Sequence, residues 1–244
     1  MTDFSDLLKA DNQQPGHMIQ LLDAQDHDAW MAAQPSAVRS MLTAQKFRGK
    51  PGEQAIIPGE KDGAWSVVAA VPDKAKLGPW CLARLAETLP EGRYRLAEVV
   101  PGAAAFGWLM AQYRFDRYRQ DDAALGPRVL LTSGVAQIDP MVQLARATAL
   151  VRDMVNIPAA DMGPPDLEQA VEAVAQAFGA SVTTTRGDAL ERGFPMIHAV
   201  GKAADRGFAP SHASARAQGR APRRHRQPAA RPARPHDWCD PVGQ

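Results

Sequence analysis

After Phe208 the chain contains no Leu, Ile, Met, Phe or Tyr. From Ala209 to Gln244 the only sizeable apolar side chains are Trp238 and Val242, with Cys239 between them, and Arg, Pro, Ala, Gly, Gln and His fill most of the rest. Such a segment cannot bury enough apolar surface to offset its chain entropy, so residues 209–244 are expected to form a disordered basic tail. Any core must come from residues 1–208. Charge divides at the same place. The chain holds 28 basic and 27 acidic residues; the tail takes seven Arg, no Lys, Asp237 and Asp240, which leaves the body 21 basic against 25 acidic. A mildly acidic body is joined to a strongly basic end.

Within the body, strand and helix patterns alternate. Ala64 to Val71 is a short apolar run closed by Pro72-Asp73 and predicts a buried strand. Leu82, Leu85, Ala86 and Leu89 have helical spacing. Pro90-Glu91-Gly92 ends that helix, Tyr94 to Val100 predicts a second strand, Ala103 to Tyr118 a second helix, and Arg128 to Leu131 a third strand. Short connections between alternating elements predict an α/β layered domain with a mostly parallel sheet. Residues 1–63 read less clearly: Ser36 is placed to cap a short helix from Pro35 to Leu42, and Phe47 to Pro58 is loop-rich. A long helix is expected from Asp139-Pro140 to about Ile157, stopped by Pro158. Beyond it, a helix from Pro165 to Phe178 closed by Gly179, a strand over Ser181 to Thr185, a turn of helix at Asp188 to Arg192 and a strand over Pro195 to Val200 begin a second α/β unit. The fold class is α/β: an N-terminal α/β domain with a mostly parallel sheet over 1–135, a connecting helix over 136–158, an incomplete second α/β domain over 159–208, and the disordered tail over 209–244.

Candidate chemistry is sparse. No run approaches eighteen apolar residues, no signal peptide is visible in Met1 to Ala10, and Cys81 and Cys239 fit a reducing compartment; the expectation is a cytoplasmic protein without a membrane partner. His17, His27 and His198 stand apart from other ligand types and read as packed rather than metal-bound; His212, His225 and His236 lie in the tail. Cys81 has no His or Asn placed to make it a nucleophile. Gly201 and Gly207 form no phosphate cradle. Tyr113, Phe115 and Tyr118 interleave with Arg114, Arg117 and Arg119, which on a helix gives a mixed packing and solvated surface. The Arg-rich tail offers only nonspecific nucleic-acid binding through counterion release.

Three segments carry a resemblance. Leu150 to Pro164 (LVRDMVNIPAADMGP), Gly193 to Ala204 (GFPMIHAVGKAA) and Tyr113 to Tyr118 (YRFDRY) resemble, in order and spacing, segments of the leucyl (cytosol) aminopeptidase family over roughly residues 60–208. The resemblance implies an N-terminal domain followed by the first part of a catalytic domain. For the complete family it implies a cytoplasmic hexamer that removes N-terminal residues from peptides with two divalent metals, Zn or Mn. In that loop Asp161 takes a turn or cap role. The family's metal ligands lie in a Val-Gly-Lys-Gly segment followed by Phe-Asp-(Ser/Thr)-Gly-Gly, and in an Asn-Thr-Asp-Ala-Glu-Gly-Arg block that also supplies a catalytic arginine. Neither occurs here: Val200-Gly201-Lys202 continues into Ala203-Ala204-Asp205. A di-metal peptidase needs carboxylates bridging two cations, which acidify a bound water and polarise the scissile carbonyl. No catalytic, cofactor-binding or metal-ligating residue is therefore assigned, and the chain is expected to be inactive by itself. Alternatives are a non-catalytic module that associates with itself or with intact aminopeptidase subunits, or nonspecific nucleic-acid binding through the tail. The turn to Arg, Pro, Ala and His after Pro210, residues of GC-rich codons, suggests a frameshift and a truncated chain; an apolar continuation in another frame of the gene would support this.

Overall fold

The computed structural model describes residues 2–118 and 126–201, and the backbone of 211–217. These fall into two compact units divided between Leu150 and Val151. Among the described residues no helix is long and apolar enough to cross a membrane.

The first unit is built on a six-stranded sheet: β1 (Leu8–Ala10), β2 (His17–Leu22), β3 (Gln54–Pro58), β4 (Trp65–Ala70), β5 (Gly92–Leu96) and β6 (Arg128–Thr132). Their order is β1-β6-β5-β2-β4-β3, parallel throughout except for the antiparallel β3–β4 pair. The mostly parallel sheet expected from the alternating pattern is thus present. The helices are α1 (His27–Ala33), α2 (Ser36–Ala44), α3 (Ala83–Thr88), α4 (Ala104–Met110) and α5 (Ile138–Asn156).

Strand alternation sorts side chains to two faces. Leu8, Ile19, Leu21, Val67, Tyr94 and Leu130 enter one core with Leu82, Leu85 and Leu89, with Trp108 and Leu109 of α4, and with Val142, Ala145 and Ala149 of α5. Leu22, Ala55, Val68 and Ala70 face the other way, against Leu42 of α2 and Phe47, with Trp30 and Met31 of α1 at the margin. Among the described residues no helix covers that second face over β5 and β6; the connection of residues 11–16 lies against it. Gly16 lies against Arg93 O and the Leu131 side chain, and the Arg95 guanidinium bonds Gln14 O and sits 3.2 Å from an Asp11 carboxylate oxygen. Register explains why six residues suffice. His17 is level with Leu8 through Tyr94 and Leu130, so the chain descends two residues and spans three strand spacings, about 16 Å directly against a reach of about 23 Å.

Two buried contacts fix α4. Gly107 N donates to Pro79 O at 2.9 Å, and a Cβ at Gly107 would sit 2.2 Å from that oxygen, so only glycine allows the approach. Trp108 Nε1 donates to Arg128 O at 2.9 Å, while Gln112 donates from Nε2 to the same oxygen and accepts from Arg128 N, each at 2.9 Å. The helix expected through Tyr118 ends at Met110. Its last turn tightens into i−3 bonds from Gln112 N and Tyr113 N, and Gln112 then turns to the β6 backbone.

The sequence pattern missed β1, β2, α1 and β3, and at α2 the cap is Pro35 with Ser36 as the first helical residue. The second unit holds α6 (Pro164–Ala177), β7 (Ala180–Arg186), α7 (Gly187–Gly193), α8 (Pro195–Gly201) and β8 (Ser211–Ala217). Gly179 closes α6 at φ 63°. The segment read as a strand from Pro195 to Val200 is helix α8: Pro195 sits at its first position and His198 N donates to Phe194 O at 3.0 Å. Ser211–Ala217, placed in the disordered tail, pairs antiparallel with β7 over Ala180–Arg186. Ladder bonds come from the backbone, so a strand of small and polar residues can form where no apolar side chains exist to nucleate a core. The remainder of the expected tail, with His225, His236, six of its seven arginines and Cys239, lies outside the described residues.

Candidate functional site

A concavity lies at the amino ends of the parallel strands, where β2 begins at His17, β4 at Trp65 and β5 at Gly92. It encloses about 630 Å³ among Pro15, Gly16, His17, Trp65, Glu91 and Arg93, and a neighbouring hollow shares His17, Trp65 and Glu91. Two of its lining residues, His17 and Trp65, begin an aromatic series that runs inward to the buried Tyr94 and Trp108. The His17 ring stacks on Trp65 at 3.7 Å with 21° between planes, and its Nδ1 lies 3.1 Å from Trp65 O. Tyr94 follows at 5.6 Å from His17, and Trp108 at 5.7 Å from Tyr94. Tyr94 donates its hydroxyl to Pro90 O at 2.6 Å, and burial pushes its pKa up to about 12 against the opposing pull of the Arg128 guanidinium. A phenol so held keeps its proton at neutral pH. The cleft offers apolar surface with one carboxylate, Glu91, and one guanidinium, Arg93, and among its lining residues no nucleophile is paired to a base.

Open parallel sheets bind ligands outside the carboxyl ends of their strands. At that edge a cavity of about 30 Å³ lies between Leu8, Pro101, Thr132 and Ile138. Loop carboxylates there are engaged locally: Asp23 accepts from Gln25 N at 3.0 Å, and Asp26 pairs with the Lys74 ammonium, whose pKa that hydrogen bond raises.

The histidines singled out in the sequence are not brought together. His17 belongs to the aromatic series. His27 has Nδ1 2.9 Å from Asp28 and its ring 6.0 Å from Phe47. His198 lies on α8 with Nδ1 3.8 Å from Glu191. Cys81 is half-buried against the first core. Tyr113, Phe115 and Tyr118 follow the end of α4 and share no helix face; Phe115 and Tyr118 are 5.9 Å apart, Arg117 lies over the Tyr118 ring, and Arg119 is outside the described residues. Asp161 closes a turn through its own N–H to Pro158 O at 2.8 Å, while the carboxylate at the start of α6 is Asp166, which accepts from Gly163 N. Glu168, nearly buried, pairs with Arg186. Among the described residues no three His, Cys, Asp or Glu side chains gather as metal ligands, so these residues do not fit a di-metal centre.

Two polar contacts had no sequence signal. The Gln112–Arg128 exchange spans 16 residues, and Gln45 bonds Ile56 across 11. Both are side-chain amides serving a distant backbone, which periodicity cannot reveal.

Comparison with known proteins adds the following. Residues 18–130 match the description of the M17 aminopeptidase N-terminal domain. Cytosol aminopeptidase from Coxiella burnetii superimposes with TM-score 0.68 and 28% identity over 82% of this chain and 44% of that one. Leucyl aminopeptidase from Trypanosoma brucei in complex with actinonin gives 0.53 and 19% over 88% and 48%. The bottromycin maturation enzyme BotP in complex with Mn gives 0.55 and 20% over 72% and 40%. The last two likenesses are of fold alone. No curated protein matches the sequence. The chain spans less than half the length of each of these three structures.

Proposed function

We propose, from the match of residues 18–130 to the M17 aminopeptidase N-terminal domain, that this 244-residue polypeptide is the non-catalytic part of a leucyl aminopeptidase. The whole enzyme is a cytoplasmic metallopeptidase that hydrolyses the first peptide bond of its substrates with two divalent cations, Zn or Mn, and the residues here scaffold that catalytic half without supplying its ligands. One contrast supports this reading. The first unit has two filled cores on either side of a six-stranded sheet, yet the described residues gather no three metal-ligating side chains. The test is the purified polypeptide with leucine p-nitroanilide and Mn. No release of nitroaniline above the blank is expected; turnover above it overturns the proposal.

A second reading, association with intact aminopeptidase subunits, draws on the second unit. Val155, Phe178, Met196 and Val200 are 78%, 73%, 80% and 79% exposed, and among its described side chains only Ala175 and Leu190 are buried apolar residues. Helices with this much apolar surface open to water gain by being covered. Co-purification of a tagged chain with an intact M17 aminopeptidase is the expected result; no retention removes this reading.

A further inference from the structure

The antiparallel edge of the six-stranded sheet is β3, and its middle residue is already bonded on the outer side. Ala70 N donates to Glu53 O at 2.9 Å, so positions 53, 55 and 57 turn their peptide groups toward β4, and Gln54, Ile56 and Pro58 turn theirs outward. At Ile56 one side chain takes both outward groups. Gln45 Nε2 donates to Ile56 O at 2.8 Å, and Ile56 N donates to Gln45 Oε1 at 3.0 Å. A primary amide carries one donor and one acceptor side by side, as a peptide unit does. Gln45, at the C-cap of α2, therefore stands where a neighbouring strand would. Gln45 is exposed and Ile56 half-buried, so the two bonds are open to competition from solvent-side groups.

We propose that the outer edge of β3 is a strand-pairing site whose occupant is the same edge of a second copy of this chain, and that the Gln45 amide is the intramolecular plug competing with it. The occupant follows from the symmetry of the hydrogen bonds. An antiparallel two-fold centred on Ile56 lets each copy's Ile56 N–H donate to the other's Ile56 C=O, replacing the two bonds to Gln45 one for one. The same axis sets Gln54 opposite Pro58. Pro58 accepts from the Gln54 N–H but has no N–H to return, so each flank adds a single bond and pairing stays weak while the plug is in place.

The experiment is sedimentation velocity of the full chain over a concentration series, comparing the wild type with Q45A and with Q45A/I56P. Q45A is expected to raise the self-association constant about tenfold, because two backbone groups lose their internal partners. The added proline removes the outward N–H of residue 56 and leaves the bonds to β4 intact, so the double variant returns to the wild-type constant. Wild-type association in a folded Q45A, or association that survives in the double variant, overturns the proposal; the latter outcome assigns the contact to another surface. If Q45A does not fold, Q45N, whose shorter side chain withdraws the amide from the edge, is read by the same two criteria.

Discussion

Gln112 and Trp108 show how single side chains fix a fold through another residue's backbone. Between them they occupy both peptide groups of Arg128, at the start of β6, from α4 and the turn that follows it, 20 and 16 residues earlier. The sequence marked Trp108 only as part of a helical run and Gln112 not at all, since a polar residue inside an apolar pattern gives no hint of its partner. Tyr94 carries the clearest pH signature. Both folded and unfolded chains hold its proton below about pH 10; between there and about 12 the unfolded chain releases it first, so stability falls as pH rises through that window. Tyr94→Phe removes the ionisation together with the bond to Pro90 O. The variant is expected to be less stable at pH 7 by about 1 kcal/mol, yet to lose less stability than the wild type from pH 10 to 12. Melting temperatures against pH check this, and equal slopes refute it. Absorbance at 295 nm gives a second reading, with one of the three tyrosines ionising last.

Elements were readable in the sequence where local pattern and tertiary role coincide. β4 and β6 are largely apolar runs because both their faces are covered. β3 was hidden by Pro51, Gly52 and Pro58, which signal loop, although Gln54–Pro58 gains its strand form from pairing with β4. α8 shows the opposite confusion: six residues of apolar character fit strand and helix equally, and Pro195 decides for helix. The second face of the sheet depends on α2, whose single fully buried side chain is Leu42. Leu42→Ala is expected to cost about 2–5 kcal/mol in urea unfolding, since cavity and transfer terms add at a site with no exposure. A loss below 0.5 kcal/mol would mean that α2 is not anchored there.

On the scale of the whole molecule, the alternating strands and helices of residues 64–131 were the informative feature for the α/β class. The candidate site was not readable in advance, because the cleft at the amino ends of the strands is assembled from residues as distant as Gly16, Trp65 and Arg93. The division between Leu150 and Val151 also has a physical basis: the buried residues of α5 are Val142, Ala145 and Ala149, all on the first unit's side. A fragment of residues 1–150 is therefore expected to unfold in one cooperative transition by circular dichroism, and a gradual, non-cooperative melt would contradict this. The six-residue passage from β1 to β2 bears on how such a chain emerges during synthesis. Among the described strands β1 pairs with β6 alone, 122 residues downstream at Leu8 and Leu130, so its slot does not exist until the ribosome has released that strand. Leu8 must wait outside a sheet that is otherwise assembled, and residues 11–16 are the tether that keeps it at hand.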